Sequence, residues 1–289
     1  MSYDRRYRIL IDNEPFIDST AGRQFRITFS VSTGYSNYQG TGEIAIYNLS
    51  AKSRGMIKSG SILRLECGYS VNGADEIGGI YTGKISNVLV EREGTSVLVR
   101  ALMVAETKDD VLLTTNYPVN TKVSTIIQDC AAAAQYQLDW KRSSFDDIPP
   151  LTAGYSIFNR NPIKVIRELS KEYKFSSVVQ NEVIVLNRNF GDQGDTPLRI
   201  GEFTGMEMMP EIAVNSINVT TRLNSKLSVG RLFEVDAKYK TFTMANAYYD
   251  FSESFGDDLG RGVYSIHKID HVGDSWGAIW SSQIEGLSA

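Results

Sequence analysis

His267 and His271 are the two histidines of the chain, four residues apart, with Asp270 and Asp274 beside them. On an extended strand this spacing sets both imidazoles on one face, and imidazole with carboxylate is a zinc-type donor set. No third ligand has a defined geometry, so the pair reads as surface histidines near a hairpin. Gly40-Thr41-Gly42-Glu43-Ile44-Ala45 fits the glycine spacing of a dinucleotide-binding turn. That turn needs a strand before it and a helix after it, whereas a polar loop precedes this one and a strand follows. No serine stands in a Gly-x-Ser-x-Gly elbow, and two histidines at one location leave a Ser–His–Asp relay little to draw on. Among 34 acids some pair could converge on a glycosidic bond, yet nothing in their spacing favours it. Trp140, Trp276 and Trp280 are candidates for stacking on sugars, although the last two fall in a closing hairpin where packing is the simpler role. The reading is of a non-enzyme with no catalytic residue, metal or cofactor.

The elements that would position such residues are mostly strands. Gln24 to Val31 alternates apolar and polar side chains, and Glu43–Tyr47, Ser61–Gly68, Ile80–Val90 and Ser96–Val104 repeat the pattern. Glu93-Gly94 reads as a hairpin turn between the last two. Such short antiparallel strands within about a hundred residues predict a small barrel or sandwich.

The period changes after Asp110. Thr121 is placed to cap a helix with Val123, Ile126, Ile127, Cys130 and Ala134 on one side, and Asn161-Pro162 opens another with Ile163, Ile166, Leu169 and Tyr173 on one face. A hairpin turning at Gln180-Asn181-Glu182 follows. Gly191 to Asp195 reads as a flexible boundary, after which alternation resumes through Ser216–Val219, Leu232–Tyr239, Val263–Ile269 and Ala278–Ile284. The expected fold class is mainly β with an α/β insertion: two small antiparallel β-barrel domains and a helix-containing middle segment. The expected boundaries are 1–109, 110–190 and 191–289, the last domain carrying a long loop at 241–260.

The two β regions match each other weakly. Gly60-Ser61-Ile62-Leu63-Arg64-Leu65 has a counterpart in Gly230-Arg231-Leu232-Phe233-Glu234-Val235, and Gly79-Ile80-Tyr81 has one in Gly262-Val263-Tyr264, each leading into a hairpin. A trimer of such a duplicated chain presents six equivalent units and can abut a sixfold ring.

Charge and composition narrow the class. A formal charge of −4 argues against a dedicated nucleic-acid binder, which needs Lys and Arg to neutralise phosphate. No stretch approaches the ~18 apolar residues of a membrane span, and Met1 to Arg6 lacks an apolar run behind its charges, so synthesis in a cytoplasm without membrane insertion is expected. Asn48-Leu49-Ser50 and Asn218-Val219-Thr220 then read as strand residues, not glycan acceptors. Cys67 and Cys130 read as reduced, buried thiols.

Ile46-Tyr47-Asn48-Leu49-Ser50, the amphipathic stretch to Ile57, Gly60 to Tyr69 ending in Gly-Tyr, and Ile80-Tyr81-Thr82-Gly83-Lys84-Ile85 resemble the first barrel of baseplate hub proteins of contractile phage tails. The family is that of tail-tip hubs with two tube-like barrels, related to late control D-type proteins. The two helices with their hairpin, and Tyr264 to Asp274 with Trp276, are similar to hub proteins as well. The resemblance covers most of the chain, and its weight lies in the order and spacing of the motifs. It implies a structural homotrimer at the tube tip, in the virion. Its partners would be the tail tube or a tube-initiator protein, the central spike protein and other baseplate proteins, with genomic DNA passing through the lumen without specific binding. The connection 241–260 has no place in the family pattern.

Met206, Met208 and Met209 read as a strand edge filling core space or as a subunit contact. With Phe242, Tyr248, Tyr249, Phe251 and Phe255 they are the candidate subunit-interface residues, since permanent interfaces bury aromatics and methionine. The alternative function is a carbohydrate-binding or glycan-cleaving β protein of a tail or cell surface.

Overall fold

The computed structural model describes residues 4–22, 24–35, 40–71, 73–105, 108, 110–140, 145, 148–187, 196–212, 216–237, 241–242 and 262–288. The opening region forms β1 (Asp4–Ile11), β2 (Glu14–Asp18), β3 (Ile27–Gly34), β4 (Thr41–Tyr47), the single-turn helix α1 (Ala51–Arg54), β5 (Ile62–Val71), β6 (Ala74–Glu93) and β7 (Ser96–Val104). Alternation makes these strands: in β3, Ile27, Phe29 and Val31 are buried while Ser30 faces out. Asp12 and Asn13, both at positive φ, make the tight turn between β1 and β2, and Gly94 at φ 59° makes the expected turn between β6 and β7.

The middle segment forms β8 (Leu113–Tyr117), α2 (Val123–Ala133), β9 (Gln137–Trp140), β10 (Tyr155–Arg160), α3 (Pro162–Glu172), β11 (Ser176–Gln180) and β12 (Val183–Asn187). Asn161 caps α3 as expected, its Oδ1 accepting from the N–H groups of Ile163 and Lys164 at 2.9 and 3.1 Å. Thr121 does not cap α2. Its hydroxyl donates to the Pro118 carbonyl at 2.7 Å, and the helix starts one residue later behind Lys122 without a side-chain cap. The hairpin at Asn181-Glu182 is present, both residues lying at positive φ.

The closing region forms β13 (Leu198–Gly201), β14 (Glu211–Ile212), β15 (Ser216–Arg222), β16 (Leu232–Asp236), β17 (Thr241–Phe242), β18 (Val263–Asp274) and β19 (Trp280–Ser288). The expected flexible boundary at Gly191–Asp195 lies outside the described residues.

Opening and closing strands share one 14-stranded sheet, because β3 pairs antiparallel with the second half of β18. Strands from both ends of the opening run, such as β1 with Tyr7 and Ile9 and β3 with Ile27 and Phe29, bury their side chains in one cluster, so the sheet curls over on itself. A second apolar cluster lies within the middle segment, and a third belongs to the closing strands. The clusters exchange residues: Leu223 and Trp280 of the closing region pack into the first, and Val178 and Val185 of the β11–β12 hairpin pack into the third.

The internal duplication is visible bond by bond. The N–H of Gly60 donates to the Ile85 carbonyl at 2.8 Å and that of Ile85 to the Ser61 carbonyl at 2.8 Å; Gly230, Ile266 and Arg231 repeat the pair at 2.7 and 2.9 Å. Gly60 and Gly230 both sit at positive φ, 93° and 81°. A β-bulge follows at once in both halves, between Ile85 and Asn87 and between Ile266 and Lys268. The strand order agrees as well: β3-β4-β7-β6-β5-β1 in the first half, β14-β15-β19-β18-β16-β13 in the second. The outermost strand differs in direction, β1 running antiparallel to β5 and β13 parallel to β16. The glycine–tyrosine match expected from sequence is slipped by two residues, since Tyr264 pairs with Phe233 where Gly83 pairs with Leu63. A slip of two keeps every side chain on its face, so periodicity could not reveal it.

Candidate functional site

Eight neighbouring strands, β14-β15-β19-β18-β3-β4-β7-β6, run through both halves and present one continuous face away from the two β cores. Register fixes its members. Glu211 lies opposite Asn218, Asn218 opposite Glu285 and Glu285 opposite Lys268; across the joint Asp270 lies opposite Ser32, Ser30 opposite Glu43 and Glu43 opposite Leu102. The other face carries the core residues Ile217, Ile284, Ile269, Val31 and Ile44. Serines, threonines and charges dominate the outer face, with Leu98, Leu102 and Val104 among them on β7.

Acids outnumber bases there. Glu43, Glu91, Glu93, Glu211, Asp270, Asp274 and Glu285 share that face with Arg26, Lys84, Arg100, Arg222 and Lys268. Arg100 pairs with Glu43 and, at 3.2 Å, with Glu91, and these bonds raise its pKa; Lys268 pairs with Asp270 at 2.7 Å. Arg26 pairs with Asp274 at 2.9 Å across the joint of the halves. Burial works to raise the Asp274 pKa, but the hydrogen bonds from Arg26 and from the N–H groups of Trp276 and Gly277 outweigh it and hold the carboxyl below its ordinary range. Such a face is polar with a small excess of acids, several of them ion-paired.

The joint is built on Trp280, whose packing role was the simpler expectation, and on its contacts with Phe29 and Arg5, which sequence did not single out. Phe29 and Trp280 meet edge to face with centroids 5.1 Å apart, over Gly273, where a Cβ would come within 2.5 Å of the Phe29 ring and 2.7 Å of Trp280. Arg5 covers the indole and donates to the carbonyls of Asp274 and Ala278 at 2.6 and 2.8 Å.

The histidines do not form the pair their spacing suggested. The bulge adds one residue at His267 and breaks the pleat alternation between them. His267 lines a depression of about 510 Å³ on the polar face with Ser32, Thr41, Lys268 and Glu285, while His271 is buried on the core side against Ser282 Oγ at 2.8 Å. Neither is the exposed hairpin residue expected. Burial lowers the pKa of both, that of His271 to about 4, with Asp270 opposing. Among the described residues no group of three His, Cys, Asp or Glu side chains is placed to hold a metal ion.

Gly40 and Gly42 serve packing. Tyr81 donates its hydroxyl to the Gly40 carbonyl at 2.9 Å, and a Cβ on Gly42 would come within 2.8 Å of the Tyr81 ring. The indoles are scattered: Trp140 packs on Phe145 in the middle segment, Trp280 is buried at the joint, and Trp276 is exposed in the turn between β18 and β19. They form no shared sugar platform.

The candidate interface residues divide. Met206 packs on the third cluster and bridges Thr221, whereas Met208 and Met209 are 65% and 60% exposed beside the outer edge of the sheet. Those two line a depression of about 390 Å³ with Glu211, Lys268, Asp270 and Glu285. Phe242 lies in β17, which pairs parallel with β14. Tyr248, Tyr249, Phe251 and Phe255 lie outside the described residues. Cys67 and Cys130 are free and buried, and among the described residues no helix is long and apolar enough to cross a membrane.

No protein-family model matches the chain, and no curated protein matches it. Solved structures do. The 43 kDa tail protein of prophage MuSo2 from Shewanella oneidensis superposes with a TM-score of 0.63 over 99% of this chain and 97% of its own, at 9% identity. A tail protein from Neisseria meningitidis MC58 gives 0.59 over 99% and 97%, also at 9%. The c3393 protein of E. coli, a type VI secretion component described as structurally similar to the T4 phage tail proteins gp27 and gp5, gives 0.57 at 10% identity over 97% and 76%. The chain has the fold of these tail and secretion-system proteins, mainly β with a few helices.

Proposed function

We propose that the chain is a structural baseplate hub of a contractile phage-type tail. Three copies form a pseudo-sixfold ring that joins the tail tube, or a tube-initiator protein, to the central spike and lines the DNA channel. The observation that carries this reading is the duplicated strand order with its matched hydrogen bonds at Gly60 and Gly230. A threefold assembly of a twofold repeat offers six near-equivalent surfaces to a sixfold tube, and few other partners require that. The mildly anionic face spanning both halves suits a lumen wall that DNA slides past without binding. The role is non-enzymatic in this reading, and the likeness to phage tail and type VI secretion proteins points the same way.

Met208, Met209 and the aromatics from Phe242 to Phe255 are proposed as contacts with neighbouring subunits, tube, spike or other baseplate proteins. The test is the solution mass of the purified chain, alone and with the cognate tube protein. A trimer that binds the tube end is expected, and a chain that stays monomeric in both conditions overturns the reading.

A further inference from the structure

The middle segment carries a core of its own. Every residue of the second apolar cluster lies between Leu113 and Leu186, and none comes from either β half. Its apolar contact with the β body comes from one hairpin. Alternate residues of β11 and β12 face two ways: Val179, Ile184 and Leu186 point into the segment's own core, whereas Val178 and Val185, opposite each other in the ladder, pack with Tyr35 in the third cluster. Tyr35 follows β3 directly, and β11 lies against that strand. Two valines, with Val183 partly buried beside them, are a small apolar footing for a unit of this size.

The rest of the dock is polar. At the tip of the hairpin the Gln180 side chain accepts from the buried N–H of Val229 at 3.0 Å, and Asn181 Nδ2 donates to the Gly79 carbonyl at 3.4 Å. Gly79 belongs to the first half and Val229 to the second, so two adjacent side chains grip both. The second bond is long, and Asn181 Oδ1 is buried without a partner. Asn187, at the far end of the hairpin, is fully buried beside the Tyr35 hydroxyl. A buried polar contact that is only partly satisfied holds less firmly than an apolar one, because each desolvated group left without a bond regains water on separation. The two β halves are joined differently, through the β3–β18 ladder and the packing of Phe29 on Trp280.

We propose that the middle segment is an arm that leaves the β body as a unit, with Gln180 and Asn181 as its latch. Undocking breaks the two tip bonds and uncovers Val178, Val185 and Tyr35, while the second cluster and the β11–β12 ladder stay intact. The surface uncovered on the body, Tyr35 with apolar side chains of the closing strands, is open only in that state. The arm is a property of the single chain, so it stands apart from the hub reading.

Thiol labelling reads the motion, since the native cysteines supply internal references: Cys67 is buried in the first cluster and Cys130 in the second. In the variant Val178→Cys, a water-soluble thiol reagent under native conditions is expected to modify position 178 at least about a hundredfold faster than Cys67 or Cys130. Adding Gln180→Ala should speed labelling at 178 by about a further tenfold and leave both references unchanged. Hydrogen exchange on the full chain without substitutions is the second measurement. The Val229 amide, whose bond crosses the dock, should exchange at least about tenfold faster, after correction for intrinsic rates, than that of Gly230, whose bond to the Ile266 carbonyl lies within the closing half. The β11–β12 ladder should stay protected throughout. Labelling at 178 in step with Cys130, no response to Gln180→Ala, or exchange of Val229 in step with Gly230 overturns this inference. Each of those outcomes leaves the hub reading standing, which the solution mass decides.

Discussion

Truncating Trp280 to alanine tests whether the two β halves are one cooperative unit. The indole belongs to the last strand yet is buried in the first apolar cluster, edge to face with Phe29 at 5.1 Å and covered by Arg5 at 5.6 Å. Loss of a buried aromatic of this size costs about 3–5 kcal/mol. Of that, the ring pair contributes ~0.5–1.5 kcal/mol beyond its area and the partly exposed Arg5 about 0.5–1 kcal/mol. At ~2–4 °C per kcal/mol the midpoint should fall by roughly 6–20 °C. Urea denaturation followed by fluorescence and by far-UV circular dichroism should show both probes shifting together. A double-mutant cycle of Phe29→Leu and Trp280→Leu should return a coupling of about 0.5–1.5 kcal/mol. A loss under about 1 kcal/mol, or two transitions of which only one moves, would refute the claim that this joint unites the sheet.

Other expectations follow from single sites. His271 is buried neutral with its pKa pushed down to about 4, so the unfolded chain takes up its proton first on acidification. Stability from this site is complete above pH ~6.5 and is lost progressively as the pH falls toward the folded value; His271→Gln should flatten that part of a pH–stability curve measured in urea. Asn161→Ala removes the cap of α3 and should cost about 1 kcal/mol, read as a lower midpoint, while Asn161→Asp should retain most of it.

Local patterns were legible where one strand or helix decides its own structure. The alternation of β3, the turn at Gly94, the hairpin at Asn181-Glu182 and the Asn161-Pro162 helix start each depend on neighbouring residues alone. The Gly60 and Gly230 correspondence was readable for the same reason, since a glycine at positive φ leads each strand. Thr121 shows where local reasoning fails: its hydroxyl had two acceptable uses, and the Pro118 carbonyl won over the helix N-terminus.

Composition and periodicity determined that the chain is mainly β with a helical insert and held no motif for catalysis, and motif order suggested the repeat; the matched bonds of that repeat and the buried, free state of both cysteines came from the structure. Tertiary structure alone decided which strands became neighbours across more than two hundred residues, and so that β3 seals β18, while the matching edge of β6 has no strand against it among the described residues. It also decided that one inserted residue would send His267 and His271 to opposite faces. Strand partners are chosen by the shape of buried surfaces, Phe29 and Trp280 closing over Gly273, and that fit exists only after distant segments have met.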